Sequence, residues 1–196
     1  MKKLQVVSKM KNRFYSALLI CFGVLLSANS FATTYFARAS GNWATVGTWS
    51  SISSGGASCG CTPAAGDNVV IDAGFTVTVA ASASITNITI GTTANGAGTL
   101  TVNSALAASG SVTFGTTGTI NGSNTLTLST GAGITVNTAT TYTATMSCAL
   151  SLGAVQPINI ATGETLIMSG KISGAGGLNI NPTTSNTGVF QLGGGT

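Results

Sequence analysis

The sequence predicts an all-β fold, a parallel β-solenoid of stacked coils, and three observations carry that reading. From Val69 onward one short pattern recurs: an apolar residue, a Thr or Asn, an apolar residue, then a turn of Gly, Asn, Ser or Thr. It appears as Val77-Thr78-Val79, Ile88-Thr89-Ile90, Leu100-Thr101-Val102, Val112-Thr113-Phe114, Leu126-Thr127-Leu128, Ile134-Thr135-Val136 and Ile158-Asn159-Ile160. Alternation with period two and enrichment in β-branched residues mark short strands, each with one buried face. The spacing is the second observation. Residues 88 and 112, 126 and 150, 134 and 158, and 166 and 190 are each 24 apart, 77 and 100 are 23 apart, and 100 and 126 are 26 apart. The third is that no helical segment intervenes. A near-fixed period of this size without helices belongs to a solenoid rather than a sandwich, and residues 68–196 would make about five coils of at least two strands each.

Residues 1–32 read as a secretory signal peptide: Lys2, Lys3, Lys9, Lys11 and Arg13 form a basic start, Phe14 to Leu26 an apolar run, and Ser30-Phe31-Ala32 a small-residue cleavage site. The apolar run is too short and too early for a membrane anchor. Removing it reverses the charge. The chain carries +4 overall, but beyond the signal only Arg38 and Lys171 remain against Asp67, Asp72 and Glu164, a net −1. No basic patch is left to neutralise phosphates, which excludes nucleic acid as a partner.

Residues 33–67 lack the repeat and hold Tyr35, Phe36, Trp43 and Trp49. A solenoid needs its terminal coil covered, because an open coil exposes strand edges and the end of the apolar column. This segment therefore reads as an N-terminal cap plugged by its tryptophans. The functional alternative is that Trp43 and Trp49 form a platform for stacking on sugar rings. Residues 68–196 are the solenoid. The chain stops at Gly193-Gly194-Gly195-Thr196 with no closing segment after Leu192, so the C-terminus is expected to be uncapped, continued in a longer protein or covered by a partner.

Two stretches carry a resemblance. S-G-N-W-A-T-V-G-T-W-S (residues 40–50), followed by T-P-A-A-G-D-N-V-V-I-D-A-G-F-T-V-T-V (residues 62–79), resembles the opening of secreted surface proteins of Gram-negative bacteria and is similar to a glycine-rich extracellular domain named for its eight glycines. Ser169-Gly170-Lys171-Ile172-Ser173-Gly174-Ala175-Gly176-Gly177-Leu178 resembles the β-helix repeat of autotransporter passenger domains. The resemblance implies a right-handed parallel β-helix, exported to the outer cell surface or the medium of a Gram-negative bacterium. The expected departure from that pattern is after Leu192, where the residues Gly193-Gly194-Gly195-Thr196 do not read as an outer-membrane barrel, sorting domain or wall anchor.

Beyond the signal three cysteines remain, so at most one internal bridge forms. Cys59-Gly60-Cys61 is the candidate disulfide, a very small ring expected to be strained and redox-labile, with Cys148 a buried core residue. A bridge from this pair to Cys148 would have to span the distance from cap to fourth coil. With no His in the chain there is no Ser-His or Cys-His pair and no ordinary zinc site. Calcium-binding solenoid repeats need an Asp at each turn, and these turns carry Gly, Asn and Thr. No cofactor or metal is expected. Asp67, Asp72 and Glu164 each read as turn residues, the last about four coils from the other two, so no carboxylate pair for glycoside hydrolysis is assembled. A separate possibility is a flat array of outward threonines, Thr76/Thr78, Thr99/Thr101 and Thr125/Thr127, of the kind that orders water at an ice surface.

These readings converge on a structural or adhesive β-solenoid segment of an exported surface protein, without a catalytic site of its own and with cell-surface glycans or other surface proteins as partners. The alternative from another class is the non-catalytic N-terminal part of a larger secreted carbohydrate-active enzyme, and a minor alternative is the ice-binding threonine array.

Overall fold

The computed structural model describes residues 32–137, 141–181 and 187–193, and the signal segment lies outside them. The chain is a parallel β-solenoid whose strands assemble into three sheets of eight, seven and five strands. No α-helix occurs among the described residues, and the single helical turn is a 3-10 turn at Val46–Thr48. No helix there is long and apolar enough to cross a membrane.

The chain enters through β1 (Thr34–Ala37), β2 (Gly41–Asn42) and β3 (Trp49–Ser50). Five turns of three strands follow. The first holds β4 (Asn68–Ile71), β5 (Thr76–Val79) and β6 (Ala83–Ile85), and the second β7 (Asn87–Ile90), β8 (Gly98–Val102) and β9 (Leu106–Ala108). The third holds β10 (Val112–Phe114), β11 (Gly118–Asn121) and β12 (Thr125–Leu128). The fourth holds β13 (Ile134–Val136), β14 (Thr143–Met146) and β15 (Ala149–Leu152), and the fifth β16 (Gln156–Ile160), β17 (Thr165–Met168) and β18 (Ile172–Gly174). β19 (Leu178–Ile180) and β20 (Val189–Leu192) begin a further turn. The first strand of every turn stacks in sheet A, the second in sheet B and the third in sheet C.

Pairing is parallel and in register, so apolar residues stand over apolar residues. In sheet A one inward column runs Val69, Ile88, Val112, Ile134, Ile158. In sheet B it runs Val77, Leu100, Ile120, Met146, Met168, and in sheet C Leu106, Leu126, Leu150. All of these side chains are at most 2% exposed, which makes the columns one continuous core. The same columns open to solvent in the last described strands, where Ile180 is 42% and Leu192 68% exposed.

The sequence spacing mispairs one step. Leu100 is covered by Ile120, twenty positions on, and Leu126 lies over Leu106 in sheet C rather than over Leu100. The turns differ in length because their corners do, while the strands keep register; Val69 to Ile88 takes nineteen positions and Ile88 to Val112 twenty-four. The cap segment is continuous with the sheets, since β1 pairs in parallel with β4 and β2 with β5. β3 alone runs against its neighbour, antiparallel to β1.

Candidate functional site

The outward face of sheet B is the most regular surface of the molecule. Strand alternation that sends Val77, Leu100, Ile120 and Met146 inward sends their neighbours outward. Thr76, Thr99, Thr119 and Thr145 stack in register as one column, continued by Ile167. Beside it Asn42, Thr78, Thr101 and Asn121 form a second column, and Thr143 lies under Thr165. Hydroxyls and methyls thus repeat about 4.8 Å apart between turns and about 6.6 Å apart along each strand. Thr125 and Thr127 do not belong to this array, contrary to the sequence expectation. They lie in sheet C, where Thr127 stands between Ala107 and Ser151, because the third turn reaches sheet B through Gly118-Thr119-Ile120-Asn121 instead. The array is nonetheless longer than the sequence suggested, since Thr119 and Thr145 extend it.

Sheet A presents a second uncharged surface. Thr89, Thr113 and Thr135 stack outward, with Asn159 next in line. At its corner with sheet B lies an open groove of about 460 Å³, lined by Thr89, Gly91, Thr92, Thr93, Thr113, Gly115 and Asn137. Its lining is threonine methyl and hydroxyl, amide and backbone, without a charge.

Each carboxylate is committed to the scaffold. Asp67 accepts from Thr33 N (3.1 Å) and Ala64 N (2.9 Å), the turn role its sequence context predicts. Asp72 does more than end a turn. It is fully buried, and its Oδ2 accepts from Thr92 Oγ1 (2.6 Å) and Asn95 Nδ2 (3.0 Å), tying the corner of the second turn to the first, while Oδ1 has no partner among the described residues. Glu164 is 1% exposed and accepts from Tyr142 N (2.8 Å), linking the fifth turn to the fourth. Tyr142 Oη lies 2.6 Å from Asn137 O and 2.8 Å from Phe114 O, so its one hydrogen is shared between two acceptors. Burial, reinforced by the charge of Glu164, pushes the Tyr142 phenol up to about 12. Gln156, a residue the sequence reading did not single out, is fully buried. Its Oε1 accepts from Gly133 N (3.0 Å), and its Nε2 donates to the Thr130 carbonyl and, at 3.3 Å, to that of Ala154.

Trp43 and Trp49 are packed into the N-terminal end. Their rings meet edge to face at 5.2 Å and 75°, and Trp49 Nε1 donates to Trp43 O at 2.7 Å. Trp43 is 4% and Trp49 0% exposed, so neither ring offers a face for stacking on a sugar. Arg38 is likewise engaged, donating to Gly56 O (2.7 Å) and Gly47 O (3.0 Å). Cys59 and Cys61 form a disulfide in the loop beside the Trp pair, and Cys148 is a free, buried thiol that burial pushes up to about 11. No group of three or more His, Cys, Asp or Glu placed to hold a metal ion occurs among the described residues. No protein-family model, curated protein or solved structure matches the chain.

Proposed function

We propose that this chain is a structural and adhesive rod segment of an exported cell-surface protein, acting through many weak contacts along its faces. The observation that carries the reading is the distribution of charge. From the first turn to the fifth, no outward strand position bears an ionisable group, and the only exposed charged residue among those described is Lys171, at a corner. Asp72 and Glu164, the carboxylates of these turns, are spent on holding one turn to the next. Uncharged hydroxyl and amide faces suit neutral partners such as cell-surface glycans, which need little desolvation of charge. The basic start and apolar run of residues 1–32 support export.

The test is binding of the mature chain to neutral glycans, presented singly and as a dense layer on beads. The reading expects retention only on the dense layer, unchanged between low and high salt, since the contacts are uncharged and individually weak. Retention that collapses with salt, or none on any layer, would overturn it.

A second reading is favoured by the threonine columns of sheet B. A flat lattice of methyls and hydroxyls, four threonines deep, suits ordered water at an ice surface. Thermal hysteresis that is abolished by Thr99→Lys and retained by Thr127→Lys would select it, because Thr127 belongs to another sheet.

A further inference from the structure

We propose that the Cys59–Cys61 disulfide is a site of thiol–disulfide exchange, a reactive ring displayed at the N-terminal end of the solenoid rather than a structural staple. The bridge joins residues two apart, so it closes its ring through Gly60 alone and links no two elements of the fold. Gly60 sits at φ 65°, a left-handed conformation that a residue with a side chain would resist in so short a ring. The loop does not need the bridge to stay in place. Cys59 N donates to Trp49 O at 3.2 Å, Ser58 Oγ donates to Val46 O at 3.0 Å, and Arg38 fastens Gly47 and Gly56 from below.

The two sulfurs differ in setting. Both cysteines are partly exposed, but Cys59 packs against the apolar core beside the Trp pair whereas Cys61 lies outside that cluster, so attack is assigned to the Cys61 Sγ. Trp49 O lies 3.6 Å and Cys61 O 3.8 Å from Cys59 Sγ. A bridged sulfur has no hydrogen to offer them. Once reduced, the Cys59 thiol has carbonyl acceptors close by, at Trp49 and Cys61. Cys148, the remaining cysteine among the described residues, is buried in the fourth turn and takes no part.

The chemistry balances with a thiol as co-reactant. A thiolate attacks Cys61 Sγ, a bond forms between its sulfur and Cys61, and the Cys59–Cys61 bond breaks with its electron pair leaving on Cys59 Sγ, which takes a proton from water. A second thiolate then attacks the mixed disulfide and releases Cys61. Two thiols are oxidised to one disulfide, and the protein is reduced to its dithiol. The thiol is either a small molecule or a cysteine of another exported protein, both presenting the same reacting group.

The experiment uses the mature chain, alkylated after exposure to reduced glutathione in one arm and to a reduced, unfolded cysteine-containing protein in the other, with the labelled cysteines mapped by mass spectrometry. A double variant, Cys59→Ala/Cys61→Ala, reports what the bridge contributes to the fold. The expected result is labelling of Cys59 and Cys61 with Cys148 unlabelled, at thiol concentrations at least tenfold below those that reduce a buried structural disulfide, with an unchanged β-sheet circular dichroism spectrum and melting midpoint. Reaction with glutathione alone assigns the site to small thiols, and reaction in both arms to protein thiols as well. The proposal is overturned if neither thiol reacts before the chain unfolds, or if reduction and the double variant each lower the melting midpoint as a staple would.

Discussion

Truncating Leu126 in the third turn should cost far more than truncating Leu192 near the last described strand, although both are the same leucine-to-alanine change in inward columns. Leu126 is fully buried, with Leu106 below and Leu150 above in sheet C. Leu126→Ala removes three carbons, about 2.4 kcal/mol at about 0.8 kcal/mol each, and the void, held open by the turns on both sides, brings the total to about 3–4 kcal/mol. Leu192 is 68% exposed, so the same deletion there removes about a third of that transfer energy, under about 1 kcal/mol, and leaves no enclosed void. Thermal unfolding followed by circular dichroism should show Leu126→Ala melting roughly 6–16 °C below the parent and Leu192→Ala within a few degrees of it. Equal shifts for the two variants, or a loss under about 1 kcal/mol at Leu126, would refute the stacked-column account of stability.

Three further outcomes follow from the corners. A Cβ at Gly98 would lie 1.9 Å from Ile71 O on the turn below, whereas one at Gly177 meets nothing within 4 Å; Gly98→Ala should therefore prevent soluble accumulation or lower the melting midpoint sharply, and Gly177→Ala should be silent in the same scan. Asp72→Ala removes two hydrogen bonds to a buried carboxyl group and should destabilise the chain by about 3 kcal/mol, with amide exchange accelerating first at Thr92 and Asn95. Tyr142 is held neutral up to about 12, above its ordinary 10.0, so its share of stability is fully present below pH 10 and is lost as pH rises through about 12. Near-ultraviolet titration should show one tyrosine ionising late, and Glu164→Gln, which removes the second cause of the shift, should bring that step to lower pH.

Much of this architecture is readable from residue order because period two is a strong code: Val77-Thr78-Val79 over Leu100-Thr101-Val102 pairs as its spacing says. The strands that escape are those whose inward positions are small. β11 and β14 put Gly118 and Ala144 against the core, so β11 lacks an apolar pair around its threonine and β14 has only a weak one in Ala144 and Met146, and passing over β11 is what misplaced Thr125 and Thr127. Both tryptophans read correctly as a plug, since a cap with no repeat of its own still has to fill the end of an apolar column. Asp72, Gln156 and Glu164 were harder. Each acts on a residue twenty or more positions away, at a distance set by corner length, and corner length is what the sequence period averages out.

The reversed strand β3 gives the molecule a direction. Parallel sheets copy themselves readily, because each edge is a template for the next strand of like polarity, and a second molecule arriving with its own edge strands would find such a template along an uncovered sheet. On sheet A, beyond β1, it meets Trp49 and Ser50 running the opposite way, a mismatch in hydrogen-bond polarity that denies a parallel seed its register. Two residues thus deny sheet A a parallel partner at that end, while sheet B still ends on β2 and sheet C on β6.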